Sequence, residues 1–565
     1  MSSIYDRFSE ERKKLQEQGL CPSWWSTSGY QLFKEKYQYQ ADNPKEQYTR
    51  IAKTLAVHTP EPNHYREVFF ELMWKGWLSP STPVLANCGT DRGLPVSCAG
   101  DYINDDLSSI YQARHETAML TKAGFGTASY LGDVRPRGAL ISSGGKSSGV
   151  LPILKGFHGD MDYVVQGTAR RGSWAGYLPI DHGDFDEVNE YLRHHPDGNN
   201  VGWNVSNEFI EKLNSGDKEA VRRYAESLKT KLITGKGYYW FNDKVNDKNP
   251  QWYKDQGLSV KSSQLCSEIA LHSDKDHTFT CVLASMNLAR YDEWKDTSAV
   301  QDAIFFLDSV CQEFIERAKN VEGLEKAVRF TKKSRALGLG VCGYHTYLQQ
   351  NLIPFGSMAA HLFNLQAFKL IRSEAEEATK SLAALWGEPE WLKGYGRANT
   401  HLIAVAPTKS TALIMGGVSE GINPDTAMVY TQRTPAGEVD RVNPVLLEIM
   451  KERGVYSKST LERIRIDNFG SVQQEPWLTD EEKEVFKIAF EINMHDVIRS
   501  ASARSKYIDQ WQSLNLFFAA GDDPTYINAV HKEAFLDPEI KGLYYVYSKA
   551  GIQASVDKDQ CSACM

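Results

Sequence analysis

The chain has 565 residues, of which 41% are apolar and 24% charged, so it can bury a sizeable core and has the composition of an ordinary soluble protein. Its 64 basic residues against 72 acidic ones leave a net charge of -8. That balance argues against direct binding along a nucleic acid and still allows nucleotides at a local positive site. No apolar run reaches the roughly 18 residues of a membrane helix, and the charged start MSSIYDRFSEERKK lacks the apolar stretch of a signal peptide. A cytoplasmic protein is expected, in a bacterial cell or in a host cell if a virus encodes it.

In chain order, residues 1–78 read as a helical segment, with NHYREVFFELMWKGW at helical spacing and Gly76 at its end. SPSTPVLANCGTDRGLPVSC is a turn-rich passage, and DDLSSIYQARHETAMLTKA reads as helix again. Residues 132–176 are rich in Gly, Ser and Arg; they read either as two flexible loops or as a pair of anion-binding loops. Residues 200–450 alternate short apolar runs with helical patterns, which predicts α/β architecture. Thr479 followed by Glu482 forms a capping box, and two further helices end near Phe535. The last stretch, 548–565, has almost no apolar content and reads as a flexible tail.

Two glycine motifs are discounted. GLGVCG at 338–343 has dinucleotide-loop spacing but lacks a clean preceding strand and an acidic partner, and GGKSS at 144–148 lacks the first glycine of a phosphate loop. His194 and His195 are adjacent, so they point apart and read as a solvated turn, and no metal site is expected.

The nine cysteines are too few, and odd in number, for a secreted disulfide framework. Cys561 and Cys564 form a C-x-x-C pair on the tail, suited to a dithiol that swings into a site, reduces a disulfide and swings out. SQLCSEIAL places Cys266 two residues before Glu268; on a strand both side chains would face one substrate. Cys98 and Cys281 also lie near apolar runs, where an isolated cysteine is usually a small core residue.

Their surroundings say more. SQLCSEIAL, followed by CVLASMNL, resembles the core of ribonucleotide reductase large subunits. SPSTPVLAN, PVSCAGDYINDDLSSI, APTKSTALIMGGVSEGINP, GLYYVYSKAG and the cysteine-pair tail occur in that family's order over nearly the whole chain. The resemblance implies an α/β fold: a ten-stranded α/β barrel of two five-stranded halves with a central finger loop, here over 79–547. It implies that the Cys266 thiyl radical takes the 3′ hydrogen of the ribose. Cys98 and Cys281 would supply two electrons at the 2′ side and end as a disulfide, with Glu268 as general base. The family's usual residue two places before the radical cysteine is Asn, and this chain has Gln264, one methylene longer. Thr82, Ser97 and the run Thr408, Lys409, Ser410 and Thr411 resemble the substrate phosphate site, where small hydroxyl residues open a helix.

Tyr544 and Tyr545 resemble the class I radical relay, which implies a small, metal-containing radical-generating (beta) subunit as partner and no tightly bound cofactor in this chain beyond Mg2+ with nucleotides. Only about 78 residues precede the barrel motifs, and they hold no recognisable ATP cone. Asp105, Arg135, Gln166, Arg170 and Arg171 match effector-site positions at a homodimer interface, bound by nucleoside triphosphates, and thioredoxin or glutaredoxin would recharge the tail. The runner-up is an adenosylcobalamin-dependent class II reductase, which the tyrosine pair disfavours. A paralogue without catalysis would not need five matching cysteines, and a general thiol oxidoreductase using only the tail would leave the barrel motifs unexplained.

Overall fold

The computed structural model of the protein describes residues 4–166, 170–197, 200–434 and 437–548. Helices open the chain at Ile4–Glu17, Thr27–Leu32, Pro44–Ala56 and Pro62–Trp74. Pro44 and Pro62 each occupy a first helical position, where a missing N–H costs nothing. Tyr48, Ile51, Ala52 and Leu55 fall on one face and are fully buried. Tyr65 stacks on Phe305 at 5.2 Å and Phe69 meets Phe306 edge-on, which docks this segment on the helix Ala299–Ala318.

Beyond it the chain alternates strand and helix. The strands Cys98–Tyr102, Gly126–Tyr130, Trp174–Pro179, Asn200–Asn204 and Tyr238–Trp240 pair in that order, all parallel. Helices such as Leu107–Ala123, Val150–Tyr163, Phe185–His194 and Lys218–Thr234 make the crossovers. These strands are buried almost throughout, as expected where helices cover one face and a packed interior the other.

A second parallel set follows. Phe279–Asn287 pairs with Leu337–Cys342, Leu339 bridges Ile403, Val405 bridges Gln512, and Leu516–Phe518 pairs with Val546–Ser548. Two antiparallel seams join the sets: Cys98–Tyr102 with Phe279–Asn287, and Tyr238–Trp240 with Gly542–Leu543. Counting the extended stretches around 402–405 and 511–518, the circuit closes as a ten-stranded barrel of two five-stranded halves, the expected fold.

GLGVCG is itself a barrel strand, Leu337–Cys342 plus Gly343, and not a phosphate loop. Its glycines make room for neighbouring strands: a Cβ on Gly340 would lie 2.6 Å from the Ala404 carbonyl oxygen. The capping box at Thr479 and Glu482 is present, on a helix of only six residues, Asp480–Val485. This helix belongs to a small lobe with its own core of Met428, Leu446, Met450, Ile464 and Phe486. Among the described residues no helix is long and apolar enough to cross a membrane.

At the first seam Gly100 faces Phe279, whose ring covers the place a side chain would occupy: a Cβ there would sit 2.1 Å from the ring. Gly100→Val is expected to cost about 1–3 kcal/mol through overpacking, read as a lower urea midpoint, and Gly100→Ala less.

Candidate active site

The barrel interior holds a loop. From Ser262 to Leu271 every residue is buried, yet the segment is neither helix nor strand. Buried irregular backbone needs hydrogen-bond partners, and the barrel wall supplies them. The Tyr177 hydroxyl donates to the Gln264 carbonyl at 2.7 Å, the Ser513 hydroxyl to the Cys266 carbonyl at 2.7 Å, and the Trp511 N–H to the Glu268 carbonyl at 2.9 Å. The Ala270 N–H donates to Gln510 Oε1 at 3.1 Å.

The expectation that Cys266 and Glu268 share a strand face is corrected. They flank Ser267, whose φ of 64° places it in the left-handed region, so the pair sits on a tight turn. Gln264 closes that turn from within: its Oε1 accepts the Cys266 N–H at 2.8 Å and its Nε2 donates to Glu268 Oε2. The extra methylene lets one side chain reach both the backbone of the thiol residue and the carboxylate.

Glu268 is fully buried, and desolvation pushes its carboxyl up to about 8, against the pull of hydrogen bonds from its own backbone, Ser513 and Gln264. Its Oε1 has no partner among the described residues. Glu268 borders an open cleft of about 430 Å³, solvent-filled mouth included. Its other walls include Thr82, Ser97, Cys98, Thr408 and Thr411, brought together from distant parts of the chain. Lys409 and Ser410 follow Thr408 on the helix Lys409–Ile414 but are not among the lining residues. Thr408 is no ordinary N-cap: its φ is 59° and its hydroxyl accepts the Gly421 N–H. The reading of the sequence missed Ser79, Ser81 and Ser285 on the same walls, though Ser79 and Ser81 belong to the SPSTP motif. The hydroxyl oxygens of Ser79, Ser81 and Ser97 are buried without a partner among the described residues.

Cys98 and Cys281 are register partners across the first seam, and both side chains are buried. Directly opposed residues of an antiparallel pair have Cα atoms roughly 4.5–5.5 Å apart, inside the roughly 4.4–6.8 Å that a disulfide spans.

At the second seam the Tyr544 hydroxyl donates to the Cys266 sulfur at 3.4 Å. Tyr544 and Tyr545 have ring centroids 4.2 Å apart, tilted by 56° rather than stacked in parallel. Tyr238, which the sequence did not single out, contacts both rings, and its hydroxyl lies 3.2 Å from that of Tyr545. Beneath them the buried Lys231 donates to the carbonyls of Gly237 and Tyr544. Desolvation pulls its ammonium down to about 7.

Asp105 and Arg135 form an ion pair away from the cleft, and the Arg135 N–H also donates to Asp105 at 3.2 Å. The backbones of Gln166 and Arg170 pair in a short antiparallel ladder that includes Arg171. Cys561 and Cys564 lie outside the described residues. His272, Asp274 and His277 place donor atoms within 4.8 Å of one another. Asp274 Oδ1 already accepts from the Asp276 and His277 N–H groups and from His277 Nδ1, which is a clasped turn.

Residues 96–219, 218–391 and 384–546 match the ribonucleotide reductase barrel domain, and residues 25–93 match the ribonucleotide reductase all-alpha domain. A Frog virus 3 (isolate Goorha) protein provisionally named as a ribonucleoside-diphosphate reductase large subunit is 35% identical, over 84% of this chain and 86% of its own length. The ribonucleoside-diphosphate reductase large subunit of Invertebrate iridescent virus 3 is 30% identical over 92% and 93%. The Actinobacillus ureae class Id ribonucleotide reductase alpha subunit superposes with a TM-score of 0.85 at 37% identity, covering 94% of this chain and 98% of that one. The chain belongs to the ribonucleotide reductase large-subunit family.

The buried carboxyl makes stability depend on pH with a definite sign. Glu268 holds its proton up to about 8 in the folded chain, against an ordinary value of 4.5. This contribution is fully present below 4.5 and is lost as pH rises through about 8. Glu268→Gln carries no such charge, so its stability relative to the parent is expected to rise by a few kcal/mol between roughly pH 5 and 9 in urea titrations.

Proposed function

We propose that this chain is the catalytic subunit of a class I ribonucleotide reductase that converts ribonucleoside diphosphates to 2′-deoxyribonucleotides, with Cys266 as the residue that becomes a thiyl radical. The observation that carries the reading is the Tyr544 hydroxyl on the Cys266 sulfur, inside a barrel and beside a hydroxyl-lined cleft. The relatives named for diphosphate reduction support the substrate. The class Id likeness supports a separate small subunit as the radical source and disfavours the adenosylcobalamin alternative.

In this scheme a partner-derived oxidising equivalent reaches Tyr545 and then Tyr544. Tyr544 takes an electron and a proton from Cys266 and regains its phenol. The Cys266 thiyl takes the 3′ hydrogen of the ribose, and ionised Glu268 takes the proton of the 3′ hydroxyl. Cys98 protonates the 2′ hydroxyl, which leaves as water. Cys98 and Cys281 then deliver two electrons and join as a disulfide, and the Cys266 thiol returns the 3′ hydrogen. Burial of the loop keeps water from the radical. The hydroxyls of Ser79, Ser81 and Ser97, unpartnered among the described residues, with Thr82, Thr408, Ser410 and Thr411, suit the phosphates, which bring Mg2+ with them. Lys409 adds a positive charge close by.

The rest of the reading follows the family. Cys561 and Cys564 carry electrons from thioredoxin or glutaredoxin to the internal disulfide. Asp105, Arg135, Gln166, Arg170 and Arg171 bind a nucleoside triphosphate effector at a homodimer interface. The chain works in the cytoplasm.

Deoxynucleotide formation from a ribonucleoside diphosphate, with dithiothreitol as reductant, tests the scheme. Product is expected with the small subunit from the same genome, none with adenosylcobalamin alone, and none from Cys266→Ser in either arm. Turnover with adenosylcobalamin alone would remove the class I assignment. Because the base must be ionised, kcat/KM is expected to rise with pH toward a plateau above about 8, and Glu268→Gln should abolish that limb.

A further inference from the structure

The internal disulfide must be reduced after each turnover, and its two sulfurs are not equivalent. Thiol–disulfide exchange attacks one sulfur and expels the other as a thiolate; access and stabilisation of the leaving thiolate decide which. Cys98 borders the open cleft. Cys281, directly opposite, is fully buried and does not line it.

The surroundings of Cys281 are built around its sulfur. Gln510 Nε2 donates to Cys281 Sγ at 3.4 Å and to the Leu337 carbonyl at 2.8 Å. Gln510 Oε1 accepts the Ala270 N–H. With its oxygen taken by an N–H and one amide hydrogen by a carbonyl, the amide cannot be reversed, and its second hydrogen faces the sulfur. Gln510 is fully buried. On the neighbouring strand a Cβ at Gly338 would come within 3.0 Å of the same sulfur and 2.4 Å of Leu283, so only glycine leaves the thiol its space. Burial pushes the Cys281 thiol up, and the Gln510 amide is the largest influence pulling it down.

We propose that Gln510 is a positioning residue that makes Cys281 the leaving sulfur, so that the incoming thiolate attacks Cys98. The assignment rests on reading Cys98 and Cys281 as the redox pair. An incoming thiolate bonds to the Cys98 sulfur, the Cys98–Cys281 bond breaks, and its electron pair stays on Cys281. The Gln510 N–H holds that charge in a site with little water until the thiolate takes up a proton. A second thiolate from the same dithiol then attacks the mixed disulfide and releases Cys98. The dithiol is oxidised by two electrons and the protein disulfide is reduced by the same two.

The full chain carrying Cys561→Ser and Cys564→Ser, so that its own tail cannot reduce the internal disulfide, is taken with the small subunit through one turnover without reductant, then mixed with excess glutathione, quenched in acid within milliseconds, and its cysteine peptides are mapped by mass spectrometry. The transient glutathione adduct is expected on Cys98, in excess over Cys281 by about tenfold or more, the ratio a single hydrogen bond to the leaving group gives. An adduct mainly on Cys281 would overturn the assignment. Gln510→Leu should slow disulfide cleavage by about tenfold and raise the pH at which Cys281 is alkylated; Gln510→Glu should recover cleavage only at low pH, where its carboxyl is a donor. Unchanged cleavage, selectivity and alkylation in a folded Gln510→Leu chain would equally overturn it. If the Gln510 variants fail to fold, the adduct map of the tail-substituted chain with Gln510 intact still decides. Absence of any Cys98–Cys281 bond after turnover is a distinct result: it would overturn the redox-pair reading, and this assignment with it.

Discussion

The structure depends on burying an irregular loop inside a closed barrel. A loop at the surface satisfies its backbone with water; one in a packed interior cannot. Here the wall residues Tyr177, Gln510, Trp511 and Ser513 replace that water, each reaching inward to a different point of the segment. Cys266 is therefore fixed by groups that also form the barrel core. Position and dryness have one cause, because the hydrogen bonds that hold the turn also fill the space that solvent would take.

The same burial sets the electrostatics. Glu268 is costly to ionise in place, and its neighbours only partly offset that cost. Its carboxyl is thus placed near the pH where a proton can be given or taken with little driving force either way, the condition a general base needs. Gln264 links thiol and carboxylate through one side chain, so the two reacting groups of the proposed site move as one unit.

Much of this was legible in the sequence, unevenly. Helix spacing around Phe69 and the capping box at Thr479 mark their elements because they are local. The barrel was legible only through resemblance, since strands of three to five residues such as Tyr238–Trp240 carry no period of their own. Cys266 and Glu268 stood out together, but on a supposed strand; the left-handed Ser267 shows no local signal because a non-glycine residue adopts it there. Ser513, Tyr177 and Gln510 escaped notice because their meaning lies in contacts across roughly 90 to 250 positions of chain, which neither composition nor spacing records.

The two antiparallel seams divide the proposed chemistry between them. One faces Cys98 to Cys281; the other leads directly into Tyr544. Each half-barrel is a parallel sheet held by its own ladder, so a covalent bond between the cysteines would staple one half to the other at a single rung. The oxidised protein would then differ from the reduced one mechanically as well as chemically, with one seam locked and the opposite seam held by hydrogen bonds alone. The stored oxidation state would be a hinge pin, set with each product released and withdrawn before the next substrate can react.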